Sequence, residues 1–258
     1  MNSMLKYHFN VQKGMYFDYD VVWGNWTLFM SNIIEDGFWN YAIMPELCNI
    51  DQELTHIEEL FKKANRPSSI YIVNEKKCAH VMEYLKEHGY EKMAEESFMV
   101  YENTSEPSHL RNDVIVKRAT ISQYYNDFLE VFTNAYGGEK TPEQPYGELD
   151  KSYMDALARS FNNINKFYHY VCFIDGKPVS IASLCYENGK GGIYNVGTNP
   201  CARGQGFGTV ATMACVDEWQ NLGGNVLLLQ TETGSKVEDW YSSLGFKPIF
   251  FGSTYCKE

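Results

Sequence analysis

The stretch TNPCARGQGFGT, residues 198–209, sets a proline ahead of an arginine and three glycines at alternate positions, Gly204, Gly206 and Gly208. A helical pattern begins at once. Phe207, Val210, Ala211, Ala214, Cys215, Trp219 and Leu222 keep the i, i+3/i+4 spacing of a buried stripe. No Ser, Thr, Asp or Asn stands at the helix entrance to cap it. A glycine costs about 1 kcal/mol against alanine where the chain is helical, so tight connection geometry alone explains the pattern poorly. Absent Cβ atoms let a phosphate approach the backbone, and the first amides of a helix, with its dipole, attract that charge. The stretch reads as an anion cradle in which the ligand takes the place of the cap. Its GxGxG spacing is not the dinucleotide fingerprint GxGxxG, and no lysine precedes Thr209 as a Walker loop requires.

Working outward, strands are expected at Phe167 to Ile174 and Val179 to Tyr186, around the hairpin turn Asp175-Gly176-Lys177-Pro178. A third follows at Gly191 to Val196, after Asn188-Gly189. The helix that opens near Gly206 ends at Gly223-Gly224. Val226 to Gln230 is wholly apolar up to its last residue, the pattern of a buried parallel strand. A short helix over Val237 to Leu244 and a strand from Lys247 close the chain. Upstream lie a strand at 114–119, a helix from Ile121 to about Asn134, a loop over 135–148 and a helix from about Leu149 to Phe161.

The polar, Pro107-containing segment 102–113 reads as a connector, with a domain on each side at 1–105 and 113–258. The first half repeats the plan in worn form. It has strands at Thr27 to Met30, Phe38 to Ile43, Ser69 to Val73 and Ser97 to Tyr101, with helices at Asp51 to Ala64 and Glu75 to His88. EYLKEHGY (83–90) and DWYSSLGF (239–246), aligned on Gly89 and Gly245, are both a helix ending in glycine and then an aromatic. YAIMPELCNID replaces the glycine loop, and no glycine occurs between Gly37 and Gly89. Leu85 aligns with Tyr241. The aromatic set Trp23, Trp26, Phe38, Trp39 and Tyr41 is either sheet core or a pocket lining.

Arg203-Gly204-Gln205-Gly206-Phe207-Gly208 resembles the acyl-CoA loop of the GNAT superfamily of N-acetyltransferases, [Q/R]-x-x-G-x-[G/A] at a strand-to-helix junction. WYSSLGF, 240–246, resembles the ending of that family's last helix, at the family's order and spacing. The likeness covers about 113–258. It implies an α/β (α+β) fold: a mixed, mostly antiparallel sheet flanked by helices, with two such domains in tandem. It also implies acetyl-CoA as co-substrate and no metal. By the same likeness, the backbone of Val196, Gly197 and Thr198 would pair with the pantetheine arm and polarise the thioester carbonyl. Gly204, Gln205, Gly206, Phe207, Gly208 and Thr209 would hold the pyrophosphate, with Arg203 adding charge. Tyr241 would protonate the departing thiolate. Two positions depart from the pattern. Gly234 stands where an asparagine often touches CoA, and Ile193 to Val196 carries no carboxylate base, leaving Glu232, Glu187, a water relay or no dedicated base. Tyr136, the 137–147 loop and the helix near Leu149 would meet the acceptor.

Composition bounds the rest. The chain is globular at 44 % hydrophobic, and its net charge of −11 disfavours a duplex-wide nucleic-acid binder. Its apolar runs are far shorter than the roughly 20 residues that span a bilayer. No secretory h-region opens MNSMLKYHFNVQKG. The seven cysteines are scattered, without a CxxC pair. The expectation is a cytoplasmic protein, monomer or homodimer, with neither nucleic acid nor membrane as partner. It transfers an acetyl group to a small-molecule or peptide amine. The competing class is a non-catalytic acyl-CoA-binding or sensing module.

Overall fold

The computed structural model describes residues 3–46, 48–73, 78–102, 111, 113–138 and 148–257. Most of the expected connector 102–113 and loop 135–148 therefore lies outside the described residues, as do Leu47 and the expected helix start at Glu75. The chain divides into two compact units. One comprises Met1–Met99, Gln230–Ser242 and Lys247–Glu258; the other comprises Val100–Leu229 and Ser243–Phe246. The first unit holds α1 (Ser3–Gln12), β1 (Tyr19–Trp23), β2 (Trp26–Met30), β3 (Tyr41–Ile43), α2 (Ile50–Lys63), β4 (Ser68–Val73), α3 (Ala79–Glu87) and most of β5 (Glu91–Tyr101). The second holds β6 (Ile115–Ala119), α4 (Tyr125–Tyr136), α5 (Lys151–Ser160), β7 (Phe167–Ile174), β8 (Lys177–Glu187), β9 (Lys190–Thr198), α6 (Phe207–Asn221) and the start of β10 (Val226–Glu232). Nearly all of α7 (Lys236–Ser243) and β11 (Phe246–Lys257) belongs to the first unit.

In the second unit the strands run β10-β9-β8-β7-β6. Every pair is antiparallel except β10 with β9, which is parallel, as the apolar run at Val226 anticipates. The β7–β8 hairpin turns on Asp175 (φ 49°) and Gly176 (φ 74°), both in the left-handed region that a tight two-residue hairpin needs. Its two faces are read off the register. His169 pairs with Ser183, and the aromatics of α4 and of the residue after α5 cover that side, Phe128 and Phe161 lying 5.1 Å and 4.0 Å from the His169 ring. The opposite face carries Leu184 and receives α6, whose buried stripe is Phe207, Val210, Ala211, Cys215 and Trp219. Helix α4 begins four residues later than expected. Thr120 and Gln123 exchange backbone hydrogen bonds, Tyr124 takes φ 59°, and Ile121 stays exposed.

In the first unit the order is β1-β2-β3-β4-β11-β5. The last strand of the chain thus runs antiparallel beside β4, from Gly252–Val73 to Lys257–Ser68. Period-two alternation splits the side chains. Leu28, Ala42, Ile70 and Ile72 face α2 and α3, joining Leu54, Ile57, Phe61 and Leu85 in one core. Phe29, Tyr41, Tyr71, Phe98 and Phe250 build an aromatic layer on the other face, with Phe9 of α1 stacked 3.5 Å from Phe29. The expected aromatic set is packed: Trp26 and Tyr41 are buried, Trp39 stacks on Tyr16, and Trp23 on His56. The strand expected over 38–43 is shorter because Asp36 Oδ1 accepts from the amides of Phe38 and Trp39, holding those residues in a turn. The two aligned endings have the same geometry. Gly89 (φ 85°) and Gly245 (φ 94°) each end a helix, and the aromatics after them, Tyr90 and Phe246, are buried.

One carboxyl in the first unit is out of its element. Glu96 on β5 is buried, and its oxygen accepts a hydrogen bond from Gln230 Nε2. Burial pushes its pKa up to about 8, the bond from Gln230 opposing. A raised carboxyl pKa contributes stability that is complete below its unfolded value near 4.5 and is lost as pH rises through 8. Glu96→Gln should therefore raise Tm at pH 8.5, with the difference from wild type shrinking toward pH 5. Thermal melts across that range check it, and a pH-independent difference would contradict the assignment.

Candidate functional site

The entrance to α6 is built as the glycine spacing suggests. Gly204 and Gly206 have φ 74° and 83°, conformations that other residues adopt only with strain. Gly206 is the N-cap, and no side chain caps the helix. A Cβ on Gly204 would meet nothing within 4 Å, and one on Gly206 only Arg111 Cδ at 3.9 Å. The loop therefore leaves open room before a helix N-terminus whose leading amides have no intrahelical acceptor, the arrangement a pyrophosphate fits.

The approach to the loop is fixed from below. Asn199 donates through its side chain to Pro178 O (2.9 Å) and through its amide to Val179 O (2.9 Å), and Pro200–Ala202 forms one turn of 3₁₀ helix. Arg203 turns back: its guanidinium donates to Ala135 O (3.1 Å) and to Thr198 O (3.3 Å), tying the end of α4 to the end of β9. A different arginine stands at the glycines. Arg111 donates to Gln205 O (3.1 Å), lies 4.4 Å over the Phe207 ring, and is held by Asp113. It comes from the polar connector, 94 positions before Gln205, and no spacing in the sequence links the two.

Strand β9 leaves its parallel ladder just before the expected thioester site. The β9–β10 register runs from Lys190–Val226 to Ile193–Leu229. On the β8 side the pairing slips, Ser183 facing Tyr194 and Ile181 facing Gly197, so Asn195 and Val196 together oppose one residue. Asn195 sits at φ 55° in this bulge. Beyond it, Tyr136 Oη donates to Val196 O (2.8 Å), and Ser180 Oγ to Gly197 O (2.9 Å). Gly197 lets α4 come close, since a Cβ there would lie 2.8 Å from Ala135 Cβ. A cleft of about 360 Å³ beside this junction is lined by Thr133, Asn134, Gly137, Asn199, Pro200 and Cys201.

The remaining expected residues are placed as follows. Tyr241 is buried on α7, its ring tilted against Trp240 at 4.5 Å, while Trp240 is half-buried. Glu187 pairs with Lys166 (3.4 Å) at the surface. Glu232 is exposed, and its carbonyl accepts from Ser235 Oγ (2.8 Å). Residues 139–147 of the expected acceptor loop lie outside the described residues. Among the described residues no three His, Cys, Asp or Glu side chains are grouped to hold a metal ion, no disulfide forms, and no helix is long and apolar enough to cross a membrane.

Residues 125–246, which include this junction, match the family model described as acetyltransferase (GNAT) family. The chain carries a domain of that GNAT family, one of acyl transfer, and its first half shares the fold. A GCN5-related N-acetyltransferase from Kribbella flavida is 18 % identical, with TM-score 0.66 over 93 % of this chain and 89 % of that one. A functionally unknown conserved protein from Staphylococcus epidermidis is 16 % identical, with TM-score 0.71 over 93 % and 94 %. A tandem GNAT protein from the clavulanic acid biosynthesis pathway is 12 % identical, with TM-score 0.58 over 90 % and 78 %. No curated protein matches the sequence.

Proposed function

We propose that the chain is an acetyl-CoA-dependent N-acyltransferase acting on a primary amine. The observation that carries this reading is the helix entrance at Gly206, open and uncapped by any side chain, following a strand whose last residues have left their parallel ladder. In the proposal, the loop Gly204 to Thr209 takes the pyrophosphate of acetyl-CoA, and the freed edge of Val196 to Thr198 takes its pantetheine arm. Arg203 acts by fixing β9 to α4 as well as by charge, and Arg111 adds a second cation at the loop. The amine nitrogen attacks the thioester carbon, and a strand amide stabilises the oxyanion. The C–S bond then breaks with its electron pair on sulfur, and the Tyr241 hydroxyl supplies the proton to the thiolate. The proton that the amine loses passes to water, and one returns from water to the Tyr241 phenolate.

The same proposal assigns catalysis to the sequence 113–258 and a loop-less copy to 1–105, a division along the chain that differs from the compact units, since most of α7 and β11 belongs to the first of them. It places the protein in the cytoplasm, with a small-molecule or peptide amine as acceptor and neither nucleic acid nor membrane as partner. Free-thiol release from acetyl-CoA against a panel of polyamines, aminoglycosides and basic peptides tests it. Amine-dependent release supports transfer. Tight acetyl-CoA binding with no release on any amine supports instead a binding or sensing module.

A further inference from the structure

The bulge in β9 is tied to the interior by an unbroken run of side-chain hydrogen bonds. Ser160 Oγ bonds Leu157 O (2.6 Å) and His169 Nε2 (2.9 Å); His169 Nδ1 bonds Ser183 Oγ (2.8 Å); Asn195 Nδ2 bonds Ser183 Oγ (3.1 Å). Every proton in the run can be placed. A carbonyl only accepts, so the single Ser160 hydroxyl proton goes to Leu157 O, and Ser160 Oγ must accept from His169 Nε2–H. In the neutral ring Nδ1 is then an acceptor and takes the Ser183 proton. That leaves Ser183 Oγ to accept from the Asn195 amide. The ring is fully buried between Phe161 and Phe128, and burial lowers its pKa to about 3, with the Arg118 charge adding to the effect. The neutral tautomer the run requires is therefore the stable one.

The far end of the run matters most. A residue other than glycine in the left-handed region costs about 1 kcal/mol or more, and asparagine holds it when its side chain is bonded. Asn195 is that residue, and the parallel β9–β10 register ends two positions before it, at Ile193. On the other side of the bulge Tyr136 Oη takes the Val196 carbonyl. Asn195 turned inward and Val196 held by α4 together fix the path of residues 196–198.

We infer that His169 is a positioning residue: through Ser183 it pins Asn195, and so sets the β9 bulge that presents Val196 to Thr198 to an acyl-CoA. This rests on the acyl-CoA reading of the site for its function, but not for its geometry. Two variants test it, Asn195→Gly, which keeps the backbone conformation and removes the bond, and His169→Phe, which keeps a buried ring and breaks the run. The first readout is hydrogen exchange of the peptide spanning 194–199 in the free protein, compared with peptides from β7 and β8. The second is KM for acetyl-CoA against kcat. One neutral hydrogen bond corresponds to roughly a 2- to 12-fold change in an equilibrium. The 194–199 peptide should exchange about that much faster in Asn195→Gly, with β7 and β8 unchanged, and KM should rise by a similar factor at nearly constant kcat. Wild-type exchange at 194–199 in a folded Asn195→Gly, or an increase spread evenly over the unit, overturns the inference. If His169→Phe does not fold, Ser183→Ala, which cuts the run between His169 and Asn195, takes its place with the same expected and contradicting results. A wild-type protein that binds no acetyl-CoA overturns the acyl-CoA reading, and the exchange comparison still decides the positioning role.

Discussion

Gly206→Glu should weaken acetyl-CoA binding about 100-fold while leaving the protein folded. Two effects act together on binding. The new carboxylate sits at the N-cap, where it satisfies the leading amides of α6 and removes the dipole's offer to a ligand, an effect of about 0.3–1 kcal/mol. It also faces the two negative charges of the pyrophosphate, about 1 kcal/mol each at contact distance in water. Their sum, about 3 kcal/mol, corresponds to about two decades in Kd. The strain of a side chain at φ 83°, roughly 1–2 kcal/mol, is present with and without ligand, so it acts on Tm, where capping partly offsets it. Gly206→Ala separates the terms, since it adds strain without charge and should lower Tm while leaving Kd close to wild type. Calorimetric titration of both variants checks the order. A Gly206→Glu protein that binds acetyl-CoA like wild type would remove the loop from the site.

Tyr241→Phe carries the second large effect. A positioned general acid contributes about 10²–10⁴ in rate, so kcat should fall by at least about 100-fold. The hydroxyl is needed only when the C–S bond breaks, so KM for acetyl-CoA should stay close to wild type. Tyr241 is buried, and its ring fills space that phenylalanine also fills. A purely packing role therefore predicts an unchanged kcat, with Tm close to wild type. Steady-state thiol release and a thermal melt on the same preparation distinguish the two. A variant turning over within about twofold of wild type would assign the thiolate's proton elsewhere.

Sequence periodicity reports burial, and the fold was legible where one face is buried. β7 and β8 stand where the apolar alternation and Asp175-Gly176 put them, and the apolar run at Val226 is parallel. β5 is longer than its apolar end, Ser97 to Tyr101, because the largely exposed run Glu91 to Glu95 takes strand geometry without any buried face to mark it. Helix α1 and strand β1 have no sequence signal of their own: α1 lacks acidic residues in its first turn and basic ones in its last, and β1 is half exposed.

The same limit governs the site. The glycine loop announces itself because backbone conformation demands particular residues at fixed spacing. Arg111 and the Ser160–His169–Ser183–Asn195 run do not, because their partners meet only through the tertiary fold. A lone histidine in an apolar strand carries no mark of what its two nitrogens touch. Arg203 was legible as a charge beside glycines, but its bonds to Ala135 and Thr198 depend on where α4 ends.

The most direct measurement is a calorimetric titration of the whole chain with acetyl-CoA. One glycine-entered helix lies among the described residues, and Leu85 fills core where the second half has Tyr241. A single saturable site is expected, one acetyl-CoA per chain, weakened about 100-fold in Gly206→Glu. Two equivalents per chain, or wild-type affinity in Gly206→Glu, would contradict it.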